Sequence, residues 1–327
     1  MKLIVAAGLS LAVLTVPFAA STHAHAEEWP TRPVTWVVPF PPGGITDSGA
    51  RTVAKVMGEK LGQQVIVDNK PGAGGIVGAE IVANGKADGY TFLYASNGVV
   101  VTYPFLYKKM SYDPKKAFIP VHGMSTSPMI ITVKADAPYK TFAEFVAHAK
   151  KNPEKVNYFT VGQGSTQHLL GELIQKEAGI HLTQIPYKGS APALTDLLSG
   201  TIDMMPDYQS IIAPHVEAGK LRALGVSSTD RLAGMPDVKT LAEQGYPGAV
   251  FTAWSTIVYP AGTPQSIVDK LADAFGKTLE DPEIIKFFND RGSNIMRGLA
   301  KEKLGEFFEA ERVKTREIIE RAGIQPE

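Results

Sequence analysis

Cysteine is absent from this 327-residue chain. Its absence excludes disulfides, thiolate catalysis and zinc–cysteine sites. Net charge is absent as well, because 33 Lys and Arg balance 33 Asp and Glu. A neutral chain carries no electrostatic footprint for nucleic acid, so no nucleic-acid partner is expected. Beyond the N-terminus no stretch approaches the roughly 18 apolar residues of a membrane span, so no direct membrane insertion is expected. The Walker A lysine motif, the G-x-S-x-G elbow and the S-x-x-K pair are all missing, which removes the common phosphate-loop and serine-hydrolase signatures. Gly72, Gly74 and Gly78 are spaced G-x-G-x-x-x-G, not the G-x-G-x-x-G of a dinucleotide fold. No cofactor is expected.

The N-terminus is apolar in the manner of a secretory signal. Lys2 supplies a basic start, Leu3 to Val16 carries no charge, Pro17 interrupts the run, and Ala24-His25-Ala26 offers a small-x-small cleavage pattern. Residues 1–26 are therefore expected to be a signal peptide, and the mature chain to be periplasmic. Cleavage leaves 301 residues with a formal charge of −1, enough for two α/β domains.

Short apolar runs alternate with amphipathic stretches. Strands are expected at 34–38, 65–67, 91–94, 129–133, 156–159, 222–226 and 256–259. The helices between them start at turn residues and carry apolar side chains at three- and four-residue spacing; Thr141 and Glu144 form a capping-box pattern. Two helices are expected after residue 260, one from Thr263-Pro264 and one from about Lys301 to Ala322. This alternation predicts mostly parallel sheets covered on both faces, in two domains. The expected division is residues 27–123 with 250–327 as domain 1, and 124–249 as an inserted domain 2.

Four strand-to-helix turns are rich in glycine or small hydroxyl residues: 43–47, 72–75, 164–166 and 189–191. Each presents backbone N–H groups at a helix start, where about half a positive charge favours anions. Turns from two facing domains would enclose one anion with neutral dipoles. Other candidates carry a plainer account beside the functional one. Asp47 and Arg51 are spaced for an i,i+4 ion pair that orders the first helix. Ser165 and His168 lie three apart, as an exported hydrolase would use them, yet Ser165 also suits a helix cap. Asp207 either faces a cleft or caps a helix. His122, His148, His168, His181 and His215 are scattered without a metal-ligand spacing, and no metal is expected.

Taken in order, several segments resemble the solute-binding receptors of tripartite tricarboxylate transporters, the Bug receptors. They include Trp29 to Pro33, Phe40 to Gly44 with Asp47 and Arg51, Asn69 to Gly75, Lys86 to Thr91, Gly162 to Ser165 with His168-Leu169, Tyr187 to Ala191, Pro214-His215 with Gly219 to Leu224, Trp254, and Pro260 to Pro264. The resemblance implies an α/β, two-domain type II periplasmic-binding-protein fold with a hinged ligand cleft. It implies a small carboxylate ligand (dicarboxylate, tricarboxylate or aromatic acid), delivery to membrane transporter subunits in trans, and no catalysis. A monomer is expected. By the same resemblance, Pro42, Gly43, Gly44 and Asp47 hold a carboxylate through main-chain amides and ordered water. The loops around Ser96 and Asn97, Gly164 to Thr166, and Tyr187 to Gly189 and Ser190 complete the cleft, with Asp207 near it. A sensor subunit that presents ligand to a signalling kinase would have the same fold. One departure is the apolar run Val99-Val100-Val101, where relatives are more polar. Either these valines line the cleft and the ligand body is apolar or aromatic, or they pack in the core.

Overall fold

The computed structural model describes residues 29–321 and 323–326; the signal-peptide assignment to residues 1–26 lies outside the described residues. The chain runs β1 (Val34–Val38), α1 (Ile45–Leu61), β2 (Val65–Asn69), α2 (Ile76–Ala83), β3 (Thr91–Ser96), α3 (Pro114–Ala117) and β4 (Phe118–Lys134). It continues with α4 (Phe142–Lys151), β5 (Asn157–Thr160), α5 (Thr166–Ala178), β6 (Thr183–Pro186), α6 (Ser190–Ser199), β7 (Met205–Tyr208), α7 (Gln209–Glu217) and β8 (Leu221–Val226). The last part holds β9 (Thr252–Pro260), α8 (Gln265–Leu279), α9 (Pro282–Asn289), β10 (Asn294–Ile295) and α10 (Lys301–Arg321).

Two sheets share one long strand. The first half of β4, Phe118 to Pro128, pairs antiparallel with β9 in a sheet of order β10-β4-β9-β3-β1-β2. From Met129 onward the same strand lies between β7 and β8. A bridge from Tyr158 to Met204 joins β5 and β6 to this second sheet. The chain returns from β8 to β9 by way of Ser227 and Phe251, whose backbones are hydrogen-bonded at 2.9 Å. β4 and this return segment are thus the two strand-level connections between lobes. Each sheet has helices on both faces, as alternating inward residues require. In β1, Val34, Trp36 and Val38 pack towards α1 and α8, and Val37 packs towards α2. In β4, Met129, Ile131 and Val133 join the cluster under α4 and α5, and Ile130 joins the one under α6 and α7.

Local chemistry explains several of the helix ends. Gly62, Gly179 and Gly200 terminate α1, α5 and α6 with left-handed backbone, which glycine adopts without a Cβ penalty. Thr141 caps α4 by accepting the Glu144 amide at 3.2 Å, and the Glu144 carboxylate accepts the Lys140 amide at 2.6 Å. The box therefore closes one residue further out than the sequence pattern suggests. α9 is an element the sequence reading omits: three helices follow β9, not two. Its start carries a plain signal, because the Asp281 side chain accepts the Glu283 amide at 3.0 Å and Pro282 is the first helical residue.

Val99, Val100 and Val101 are buried. They sit in a π-type turn at Gly98–Thr102, with the Val99 carbonyl accepting from the Tyr112 hydroxyl at 3.0 Å and the Val100 carbonyl from Arg312 at 3.1 Å. The core account of this run is the correct one. Gly78 explains the third glycine of its motif: a Cβ there would stand 2.8 Å from the Lys70 carbonyl and 3.0 Å from the Pro39 Cα, so the residue permits close helix–strand approach and does not bind phosphate. α10 touches both lobes. Leu304 and Phe308 pack beside Val258, and Ile318 and Ile319 enter the cluster with Phe145 and Leu173.

Candidate functional site

A cavity of about 360 Å³ opens between the two lobes, within the usual size range of small-molecule sites. Its floor is the pair of strands that cross between lobes, represented by Ser125, Ser127 and Ser255. The starts of α1, α5 and α6 converge on it through Ile45 and Thr46, Ser165 and Thr166, and Gly189 and Ser190. Two of these helix starts, α1 after Gly44 and α6 after Gly189, have no capping side chain. Their first amides have no intrahelical acceptor and carry the positive end of the helix dipole into the cleft, one from each lobe. Arg291 is the one charged side chain among the described residues that line the cavity, and no carboxylate lines it. The field in the cleft therefore favours an anion.

The structure places the expected site residues differently. Ser96, Asn97, Gly164, Ser165, Thr166, Gly189 and Ser190 line the cavity together. Pro42, Gly43 and Gly44 form an exposed loop leading into Ile45 and do not line it. Asp47 lies buried behind that loop. It accepts the Gly43 amide at 2.9 Å and the Arg51 Nε at 3.1 Å, and it forms an ion pair with Arg51. Arg51 in turn donates to Asn69 at 2.9 Å, and Asn69 donates to the Phe40 carbonyl at 3.1 Å. The Arg51 hydrogen bond holds the Asp47 carboxyl below its ordinary range. Asp47 thus shapes the loop from behind. Tyr187 lies outside the cavity lining; its hydroxyl donates to Asp196 at 2.7 Å. The fourth glycine-rich turn, 72–75, is also elsewhere: the Gly74 carbonyl accepts from the Tyr103 hydroxyl at 2.9 Å.

Ser165 and His168 do not form a nucleophile–base pair. The Ser165 hydroxyl donates to the Gly162 carbonyl at 2.7 Å and accepts the His168 amide at 3.3 Å, which is a helix cap. The His168 Nδ1 accepts the Gly164 amide at 2.9 Å. Burial lowers the His168 pKa, and a neutral ring is what that acceptor role requires. Both side chains therefore hold the 162–166 turn in place.

Asp207 is fully buried next to Tyr208, which lines the cavity. Its Oδ1 accepts the Tyr208 amide at 2.8 Å, and its Oδ2 has no hydrogen-bond partner. Burial pushes its carboxyl up to about 6, opposed by the nearby Ser190 hydroxyl and the Tyr208 amide. The unfolded chain releases this proton near 3.8, so stability falls as pH rises from about 4 to 6 and stays lower above that window. Asp207→Asn should then raise the melting temperature above pH 7, by the equivalent of roughly 1–3 kcal/mol, with little change below pH 4. Melting curves across pH 3–8 check this. A variant less stable at every pH would mean that the charge is compensated.

Several lining residues were not marked by sequence reasoning. Tyr94 lies on β3, Ser125 and Ser127 in the middle of β4, and Ser255 on β9, and which of them face the cleft depends on how the sheets are oriented. Phe287, Phe288 and Arg291 come from α9 and the turn after it, so missing that helix hid them; the Asp281-Pro282 start was the signal that could have found them.

Residues 49–324 match the family described as the tripartite tricarboxylate transporter family receptor. This chain belongs to that family. The receptor is 38% identical over 317 residues to a UPF0065 protein in the tcbD-tcbE intergenic region of Pseudomonas sp. strain P51, covering 96% of this chain and 93% of that one. Among solved structures it is similar to Rpa4515 of R. palustris with adipate, at 35% identity and a TM-score of 0.82, covering 91% of this receptor and 100% of that chain. It is also similar to the periplasmic binding protein BugD, at 35% identity and a TM-score of 0.80, covering 91% and 100%. The receptor therefore has the two-domain α/β fold of these periplasmic binding proteins, as expected from its motifs. Among its described residues, no helix is long and apolar enough to cross a membrane.

Proposed function

We propose that this receptor is exported to the periplasm through a signal peptide at residues 1–26, captures a small carboxylate, and hands it as a monomer to the membrane subunits of a tripartite tricarboxylate-type transporter. One lobe is built on β1 to β3, β9 and the first half of β4, and the other on β5 to β8 and the second half of β4. The observation that carries this reading is the pair of uncapped helix starts, α1 and α6, which face one cleft from opposite lobes. That no carboxylate lines the cleft among the described residues adds to it, as does the adipate in a similar structure. The carboxylate docks against one lobe, and closure about β4 brings the other helix start onto it. Contacts that exist only in the closed state favour closure.

A thermal-shift panel tests the reading. At ligand 100-fold above Kd the receptor gains about 2.7 kcal/mol of stability, which reads as a clear rise in melting temperature. Shifts are expected with carboxylates. Shifts only with sugars or cationic amines would refute it.

A further inference from the structure

We propose that the cleft selects an aromatic dicarboxylate, with Arg291 as the residue that reads the second acidic group. This rests on the carboxylate-receptor reading and narrows it.

Charge comes first. The starts of α1 and α6 carry the positive ends of their helix dipoles, and Arg291 adds a full positive charge; among the described residues no acid lines the cavity beside them. The cleft thus offers separate positive partners, the helix starts and Arg291, for two acidic groups. Arg291 is half-buried and stacked, with its guanidinium carbon 3.7 Å from the centre of the Phe287 ring. It donates one hydrogen bond, from Nη1 to the Phe287 carbonyl at 3.2 Å, and no carboxylate pairs with it among the described residues. A guanidinium fixed in this way keeps N–H groups free for a bidentate acid.

The ligand body is read by the walls. Ile45 at the start of α1 and Val161 after β5 are 49% and 47% exposed, and both line the cavity, one from each lobe. Burying them is favourable only against an apolar surface. Phe40, Tyr94, Phe287 and Tyr208 add aromatic surface, with the Phe40 and Tyr94 rings set edge to face at 6.2 Å. The polar floor is partly occupied with itself: Ser125 and Ser255 share a hydrogen bond at 3.1 Å, and Ser127 and Ser293 share one at 2.9 Å. A flat apolar ring between two carboxylates uses the walls, the helix starts and Arg291 together.

Calorimetric titration of the full chain with the three benzenedicarboxylate isomers, benzoate, adipate and malate tests the proposal. The best isomer should bind at least tenfold tighter than adipate or malate. Arg291→Gln should weaken that isomer by 30-fold or more and benzoate by less than threefold, with Arg291→Lys between wild type and Arg291→Gln. A structural role for Arg291 would weaken both ligands alike, and this would overturn its assignment. Equal or tighter binding of adipate would overturn the aromatic body while leaving a carboxylate receptor. Binding of none of the acids would remove the carboxylate reading itself.

Discussion

Gly164→Val should reduce carboxylate affinity at least 100-fold. Gly164 has φ +70°, a region that β-branched residues almost never enter. A Cβ at this position would also run into the Leu106 side chain, which belongs to the core beneath α5. The turn must move, and it carries two further contacts with it: the Gly164 amide bond to His168 and the Ser165 cap, each on the order of 1 kcal/mol. Gly164, Ser165 and Thr166 all line the cleft, so a small displacement misplaces the second lobe's contacts. Calorimetry together with far-UV circular dichroism separates binding from folding. A folded variant that keeps wild-type affinity would take this turn out of the site.

Asp47→Ala should weaken binding by about ten- to a hundredfold and destabilise the fold by roughly 1–3 kcal/mol. The side chain touches nothing in the cleft, so its effect is indirect. Removing it leaves the Gly43 amide without its acceptor and Arg51 without its ion-pair partner, so of these links the 40–44 loop keeps only the direct Asn69 bond to the Phe40 carbonyl. The sign of its pH dependence follows from a carboxyl held below 3.8. Its stabilisation is fully present above the unfolded pKa and is lost only as pH falls through the lower folded value. The gap between wild type and variant should therefore persist at pH 5–8 and close in strong acid. Asp47→Asn, which can still accept from Gly43, should fall between the two. Equal affinity in all three proteins would show that the loop's shape is irrelevant to the ligand.

Much of the architecture is legible in the residues. β1, α5 and β8 follow directly from apolar periodicity and from Ser165 and Gly179 as start and stop. The glycine-rich turns at 164–166 and 189–191 were legible as cleft elements because a helix start after a strand has only one end of the sheet to occupy. Where the reading stops, the cause is physical. Tyr187 follows a strand in a family motif, yet its hydroxyl turns to Asp196 on the helix below. The valines at 99–101 read as core or, less readily, as wall until Tyr112 and Arg312 anchor two of their carbonyls. Arg291 is invisible because its place in the cleft depends on α9, an eight-residue helix, packing against α1 at long range. Asp47 was legible as an ion-pair partner of Arg51; its grip on the Gly43 amide required the loop's actual path.

The most direct test is a crystal structure of the receptor with the tightest acid from the calorimetric panel. A carboxylate should lie between the lobes, bonded directly or through one water to the first amides of α1 and of α6. A ligand bound outside this cleft, or one whose carboxylate meets neither helix start, would contradict the account.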